Sequence, residues 1–192
     1  RLIYIVRDLD MITKLEVGDL SLDLETFNLI ELINEVFELF EMKASKKSIT
    51  LTLDRDYETP IWVYADRERI QQVLSNLVVN SIKYGREKGT TELSVESISD
   101  DKVIVRVTDN GEGIEEEHIS RLFERFFRVD MSRSRQIGGS GLGLSIVKHI
   151  VEAHQEQIYV ESEIEVGSEF SFTLKDSNKS SGISDENSLN PK

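Results

Sequence analysis

Residues 66–84, Asp-Arg-Glu-Arg-Ile-Gln-Gln-Val-Leu-Ser-Asn-Leu-Val-Val-Asn-Ser-Ile-Lys-Tyr, constrain the fold more than any other stretch of this chain. Ile70, Val73, Leu74, Leu77 and Val78 recur at helical spacing, and Asp66 stands where a short side-chain acceptor caps a first turn. At about 100° per residue the apolar side chains form one stripe, which must be buried against another layer. Asn76, Asn80 and Lys83 fall together on the side away from it. The helix therefore has a core side and a side on which two amides and an amine line a groove.

The flanking segments supply the other layer. Leu93 to Ile98 and Val103 to Thr108 alternate apolar and polar residues across Ser99-Asp100-Asp101, the pattern of an antiparallel hairpin. Ile49 to Leu53 reads as a half-buried strand, Pro60 marks the turn before Ile61-Trp62-Val63, and Ile158–Glu161 and Glu169–Leu174 close the domain as strands. Leu20 to Phe27 alternates as a short strand, and Asn28 then caps a helix that carries Ile33, Val36, Phe37 and Phe40 on one face and stops near Lys47. A short helix is expected around Glu115 to Leu122 and a longer one from about Leu142 to His154. Strands interleaved with helices predict an α/β fold, a two-layer sandwich with a mixed sheet and helices on one face.

Three parts are expected. Residues 1–19 form a partial helix and linker, the helix running to about residue 16 with Leu2, Ile5, Leu9 and Ile12 at helical spacing and ended by Gly18; residues 20–175 form the main domain. Residues 176–192 are Ser, Asn, Asp, Glu and Lys for the most part, too polar to offset the entropy of ordering, and are expected to be a disordered tail. The chain opens inside an apparent helix without an initiator methionine, so a longer parent protein is expected. A formal charge of −13 repels nucleic-acid phosphates, so nucleic acid is not an expected partner. Absence of cysteine excludes disulfides, thiolate metal sites and cysteine nucleophiles, and allows a reducing, cytoplasmic location. No apolar run approaches bilayer length, and no signal-peptide pattern is present.

Four patterns carry chemistry. An amide oxygen, from Asn76 or Asn80, suits Mg2+, which binds few protein groups beside phosphate oxygens, and Lys83 lies within reach of those phosphates. Asp109-Asn110-Gly111-Glu112-Gly113-Ile114 follows a strand; its carboxylate could accept from an adenine amino group while its glycines let backbone approach closely. Gly138-Gly139-Ser140-Gly141-Leu142-Gly143-Leu144 precedes a helix, where free N–H groups and the helix dipole favour an anion such as a triphosphate. It is not a Walker loop, since Leu144 stands where the lysine is required, and its glycine spacing does not fit a Rossmann fingerprint. Arg121, Arg125, Arg128, Arg133 and Arg135 concentrate positive charge suited to polyphosphate in an acidic chain.

Each pattern also has a plain structural reading: a solvated helix face, a strand-to-helix turn, a glycine linker, surface ion pairs. Phe123, Phe126 and Phe127 are expected in core or lid packing. His118, His149 and His154 share no metal-ligand spacing and are expected to be structural or surface residues.

In chain order these pieces resemble the motif set of the histidine kinase catalytic domain, whose superfamily also holds the Hsp90-type, type II topoisomerase and mismatch-repair ATPases. Residues 66–84 resemble the N box, Asp109 to Ile114 the first glycine box, Leu122-Phe123-Glu124-Arg125-Phe126-Phe127-Arg128 the F box, and Gly139 to Lys148 the second glycine box. Glu165-Val166-Gly167-Ser168-Glu169-Phe170 resembles the closing hairpin. The likeness runs from about residue 20 to 174, and its F box favours the kinases. Gln155-Glu156 stands where many relatives carry glycine.

The resemblance implies a Bergerat-type sandwich that holds ATP and Mg2+ under a mobile lid and transfers the γ-phosphoryl to a histidine. It implies that Asn76, Asn80, Lys83 and Arg128 serve catalysis, with Asn80 on Mg2+ and Lys83 and Arg128 on phosphates. Tyr84 is implied to line the adenine and Asp109 to bind its amino group. Gly111, Gly113, Ile114, Gly139, Ser140, Gly141, Leu142, Gly143, Leu144 and Ser168 are implied to shape the pocket and lid. Residues 1–19 resemble the second helix of the dimerisation and phosphotransfer domain, ending in Leu15-Glu16-Val17-Gly18, but the phosphoacceptor box is not in this sequence. Implied partners are the parent's own dimerisation domain and a response regulator receiver domain, in a homodimeric parent attached to the membrane. A nucleotide-sensing module without turnover and an ATP-hydrolysing relative stay open as alternatives.

Overall fold

The computed structural model describes Val6, Leu9, Asp10, Thr13 and Lys14 and residues 21–99, 101–129 and 140–177. The expectations for Leu15 to Gly18, Arg133, Arg135, Gly138, Gly139 and the tail beyond Ser177 lie outside the described residues. The five described residues near the N-terminus are helical, and Leu9 packs on the core.

Strand β1, Leu24–Asn28, leads into helix α1, Leu29–Ser45, which Asn28 caps by accepting the Ile30 N–H at 3.1 Å. The strand starts later than its alternation predicts, because the Asp23 N–H donates to the Asp66 carboxylate at 3.1 Å rather than to a neighbouring strand. Strands β2, Thr50–Leu53, and β3, Trp62–Asp66, come next. Helix α2, Arg67–Tyr84, begins at Asp66, whose Oδ1 accepts the Arg69 N–H at 3.1 Å. The hairpin of β4, Thr90–Ser97, and β5, Lys102–Asp109, precedes a single turn of helix, α3, Glu116–Ile119. Helix α4, Gly143–Ala153, and strands β6, Ile158–Glu163, and β7, Gly167–Lys175, complete the described elements.

The main sheet runs β2-β4-β5-β7-β6, with β2 parallel to β4 and every other pair antiparallel. β1 and β3 form a separate antiparallel ribbon, joined to the end of β7 by a bridge between Val63 and Asp176. Leu93, Val95, Val103, Val105, Val107, Phe170, Phe172 and Leu174 alternate inward and are buried with the stripe Ile70, Val73, Leu74, Leu77 and Val78. The other sheet face is polar: Arg106 lies 2.9 Å from Glu96 and 3.6 Å from Glu169. This is the one-sided burial that antiparallel pairing permits, and it confirms a mixed sheet with helices on one face.

Packing of α2 between α1 and α4 sets the site. His154 at the end of α4 helps fix that arrangement: its Nε2 accepts the Asp66 N–H at 3.0 Å, and its Nδ1 donates to the Ile150 carbonyl at 2.8 Å. That places His154 in a structural role. Gln155 turns the chain after α4 with a φ of 60°, so the left-handed position is filled without glycine.

Candidate functional site

A cleft of about 970 Å³ lies along α2, the start of α4 and the loops leaving β5 and β6. The sequence alone places Asn76, Asn80, Lys83 and Tyr84 in order along α2, and the apolar stripe turns all four toward the cleft by burying the opposite side. Asp109, Gly113, Ile114, Arg128, Ser140, Gly141, Gly143, Leu144 and Ser168 also line it. Of the residues named in advance, Gly111 and Leu142 do not. Leu142 is fully buried in the core, and Gly111 sits behind the cleft wall, where a Cβ would lie 2.6 Å from the Asp109 carboxylate and 2.7 Å from the Tyr84 carbonyl. Gly139 is outside the described residues.

The Asp109 end is closely knit. The carboxylate accepts the Gly111 N–H at 2.8 Å and an N–H of Ser168. Burial nevertheless pushes its pKa above the ordinary value, against the downward pull of both donors. Gly113 adopts φ +75°, and a Cβ there would stand 2.1 Å from the Glu163 carbonyl. The close approach made by this glycine is thus to the β6–β7 turn. Ser168 is held by Ser162, whose hydroxyl lies 2.8 Å away, and Ser162 also accepts the Ile114 N–H at 2.9 Å.

The α4 end is open by contrast. α4 starts without a side-chain cap, so its first N–H groups have no acceptor from a capping side chain. A Cβ on Gly143 would meet only Asn76, at 3.5 Å. Asn76 Nδ2 is the buried side-chain polar atom left without a hydrogen-bond partner among the described residues, a state that ordinarily costs about 1–3 kcal/mol. Phe126 has φ 63° and donates its N–H to the Gly141 carbonyl at 2.9 Å. Phe123 and Phe127 pack against the core, while Phe126 is 54% exposed.

Several lining residues are not among the site residues to which the sequence points. Lys47 reaches the cleft from the end of α1 and donates to the Lys83 carbonyl at 2.7 Å. Ile164 and Glu165 arrive from the β6–β7 turn, and Phe170 from β7. His118 also lines the cleft, 3.8 Å from Glu115 and 3.7 Å from Glu117. The Glu115–His118 spacing of one helical turn was the available clue to that cluster.

Residues 65–178 match the histidine kinase-, DNA gyrase B-, and HSP90-like ATPases. The chain belongs to this ATPase family. Among its curated relatives, the adaptive-response sensory kinase SasA of Synechocystis sp. is 42% identical over 144 residues, 75% of this chain but 37% of SasA. The chain therefore spans little more than a third of that relative. The solved catalytic domain of histidine kinase ThkA is 37% identical, with a TM-score of 0.70 over 81% of this chain and 97% of that one. Full-length ShkA in complex with AMPPNP superposes with a TM-score of 0.80 at 28% identity, over 92% of this chain and 36% of that one.

Proposed function

We propose that this chain is the ATP-binding catalytic part of a sensor histidine kinase, transferring the γ-phosphoryl of ATP to a histidine on a dimerisation domain of its parent protein. The observation that carries the reading is the single cleft in which Asn80, Lys83 and Arg128 share a wall system with Asp109 and the uncapped start of α4. Likeness to SasA and to the ThkA catalytic domain supports the kinase branch of the family.

The donor set fits a magnesium triphosphate. Asn80 offers one hard oxygen, and the partnerless Asn76 Nδ2 is a donor suited to a phosphate oxygen or a metal-bound water. Lys83 and Arg128 carry the positive charge that spreads developing negative charge during transfer, and Mg2+ would add neutralisation at the phosphates. Asp109, flanked by Ile114 and Tyr84, presents an acceptor at the end suited to the purine amino group. The chain's own contribution is thus to position and neutralise, the main demands of phosphoryl transfer.

Proposed protein partners are the parent's dimerisation domain and a response regulator receiver domain. The parent is proposed to be a membrane-attached homodimer with this unit in the cytoplasm; among the described residues no helix is long and apolar enough to cross a membrane. The test is to measure ATP binding with and without Mg2+, then supply a separately produced dimerisation domain and look for acid-labile phosphohistidine. Binding without transfer supports a sensing module instead. Steady phosphate release without phosphohistidine supports an ATP-hydrolysing relative.

A further inference from the structure

Arg86 and Glu165 are 79 residues apart in sequence, yet one guanidinium joins them. Arg86 Nη2 donates to the Glu165 carbonyl and lies 3.3 Å from its carboxylate. Arg86 stands two residues beyond Tyr84, and Glu165 directly follows Ile164. Both Tyr84 and Ile164 line the cleft, at 45% and 47% exposure. The contact therefore ties together the two segments that bring these half-exposed side chains to the cleft.

The turn that carries Ile164 needs such a tie. Glu165 has φ 67°, a left-handed conformation that a non-glycine residue adopts at a cost. Its N–H donates to the Glu112 carbonyl at 2.9 Å, and its carbonyl takes the Arg86 guanidinium, so both of its backbone polar groups are held by neighbouring loops. Gly113 seats the same turn from below, with room for no side chain against Glu163 and Ile164.

We infer that Arg86 is a positioning residue for the base end of the cleft, holding Ile164 in place relative to Tyr84 and so setting affinity and selectivity for adenine nucleotides. The inference rests on the nucleotide reading above. It places the working contact on the backbone carbonyl: the Glu165 side chain is 86% exposed, and an ion pair so solvated contributes little, whereas a guanidinium on a carbonyl is a charge-assisted hydrogen bond.

The test titrates ADP and GDP into the 192-residue chain and into Arg86→Ala, Arg86→Lys and Glu165→Ala, with thermal unfolding followed for each. Arg86→Ala is expected to weaken ADP about tenfold and to narrow the preference for ADP over GDP, with the unfolding midpoint kept. Arg86→Lys should recover part of the loss, since an ammonium can still donate to the carbonyl. Glu165→Ala should lose clearly less than Arg86→Ala, because the backbone carbonyl that takes the guanidinium is kept. Unchanged ADP affinity in Arg86→Ala overturns the inference, as does an equal loss for both nucleotides accompanied by a lowered midpoint. A loss in Glu165→Ala as large as in Arg86→Ala overturns it too. A parent chain that binds neither nucleotide sinks the nucleotide reading itself, a separate failure from a parent that binds ADP and a variant that binds it equally well.

Discussion

Gly113 and Gly167 at the Asp109 end of the cleft and Gly143 at the start of α4 serve opposite purposes, while Gly141, at φ +74° against the Phe126 backbone, sides with the first pair. At the Asp109 end, a Cβ on Gly113 would lie 2.1 Å from the Glu163 carbonyl and one on Gly167 would lie 1.9 Å from the Asp109 carbonyl. Both residues sit at positive φ, so backbone conformation and packing each demand glycine. At the α4 end, a Cβ on Gly143 would make an ordinary contact with Asn76, and Gly143 has no positive φ. Glycine at the first end is a requirement of folding. At Gly143 it keeps space clear beside the partnerless Asn76 Nδ2, which a stable fold does not need and an anion site does.

That contrast can be broken by substitution. Gly167→Ala is expected to have the largest effect, a loss of about 3 kcal/mol or more, because neither the Asp109 carbonyl nor the backbone at φ +144° can yield cheaply; chemical denaturation reads it directly. Asn80→Ala is expected to leave the fold intact and weaken Mg2+-dependent ADP binding at least about tenfold, measured by calorimetry with and without the metal. Gly143→Ala should instead raise stability, by about 0.5 kcal/mol, through reduced backbone entropy in the unfolded chain. In the same protein ADP affinity should fall, and a gain in stability without that fall would remove the distinction between the two ends.

The smallest expected effect is one of pH at Asp109. Because its folded pKa is raised by burial, the group's contribution to stability is fully present below its unfolded pKa and is lost as pH rises through the folded one. Above that raised pKa, ionised Asp109 destabilises the folded protein relative to its protonated form. If the carboxylate accepts the adenine amino group, ADP binding should run the other way, weakening as pH falls through the same raised pKa. Asp109→Asn should remove both dependences, and opposite slopes that persist in that variant would assign them to another group.

Much of this architecture was legible because it is local. Asp66 and Asn28 cap the helices predicted to follow them, and the spacing of Ile70, Val73, Leu74, Leu77 and Val78 is enough to orient Asn76, Asn80 and Lys83. Leu142 stands in a glycine-rich stretch that reads as a uniform loop in the sequence. In the fold its one large apolar side chain before α4 is drawn fully into the core, leaving its small neighbours at the cleft. At Gly111 the sequence shows that a close approach occurs but not that the groups approached are the Asp109 carboxylate and the Tyr84 carbonyl.

By itself, the sequence determined the helices, their caps, the alternating strands and the identity of the polar groups along α2, since these follow from interactions within a few residues. The parallel pairing of β2 with β4, the return of Ile164 and Glu165 to Arg86, and the arrival of Lys47 at Lys83 were decided only by the tertiary structure. These contacts join segments far apart in the chain, and their geometry depends on how the buried faces of the helices and sheet pack together.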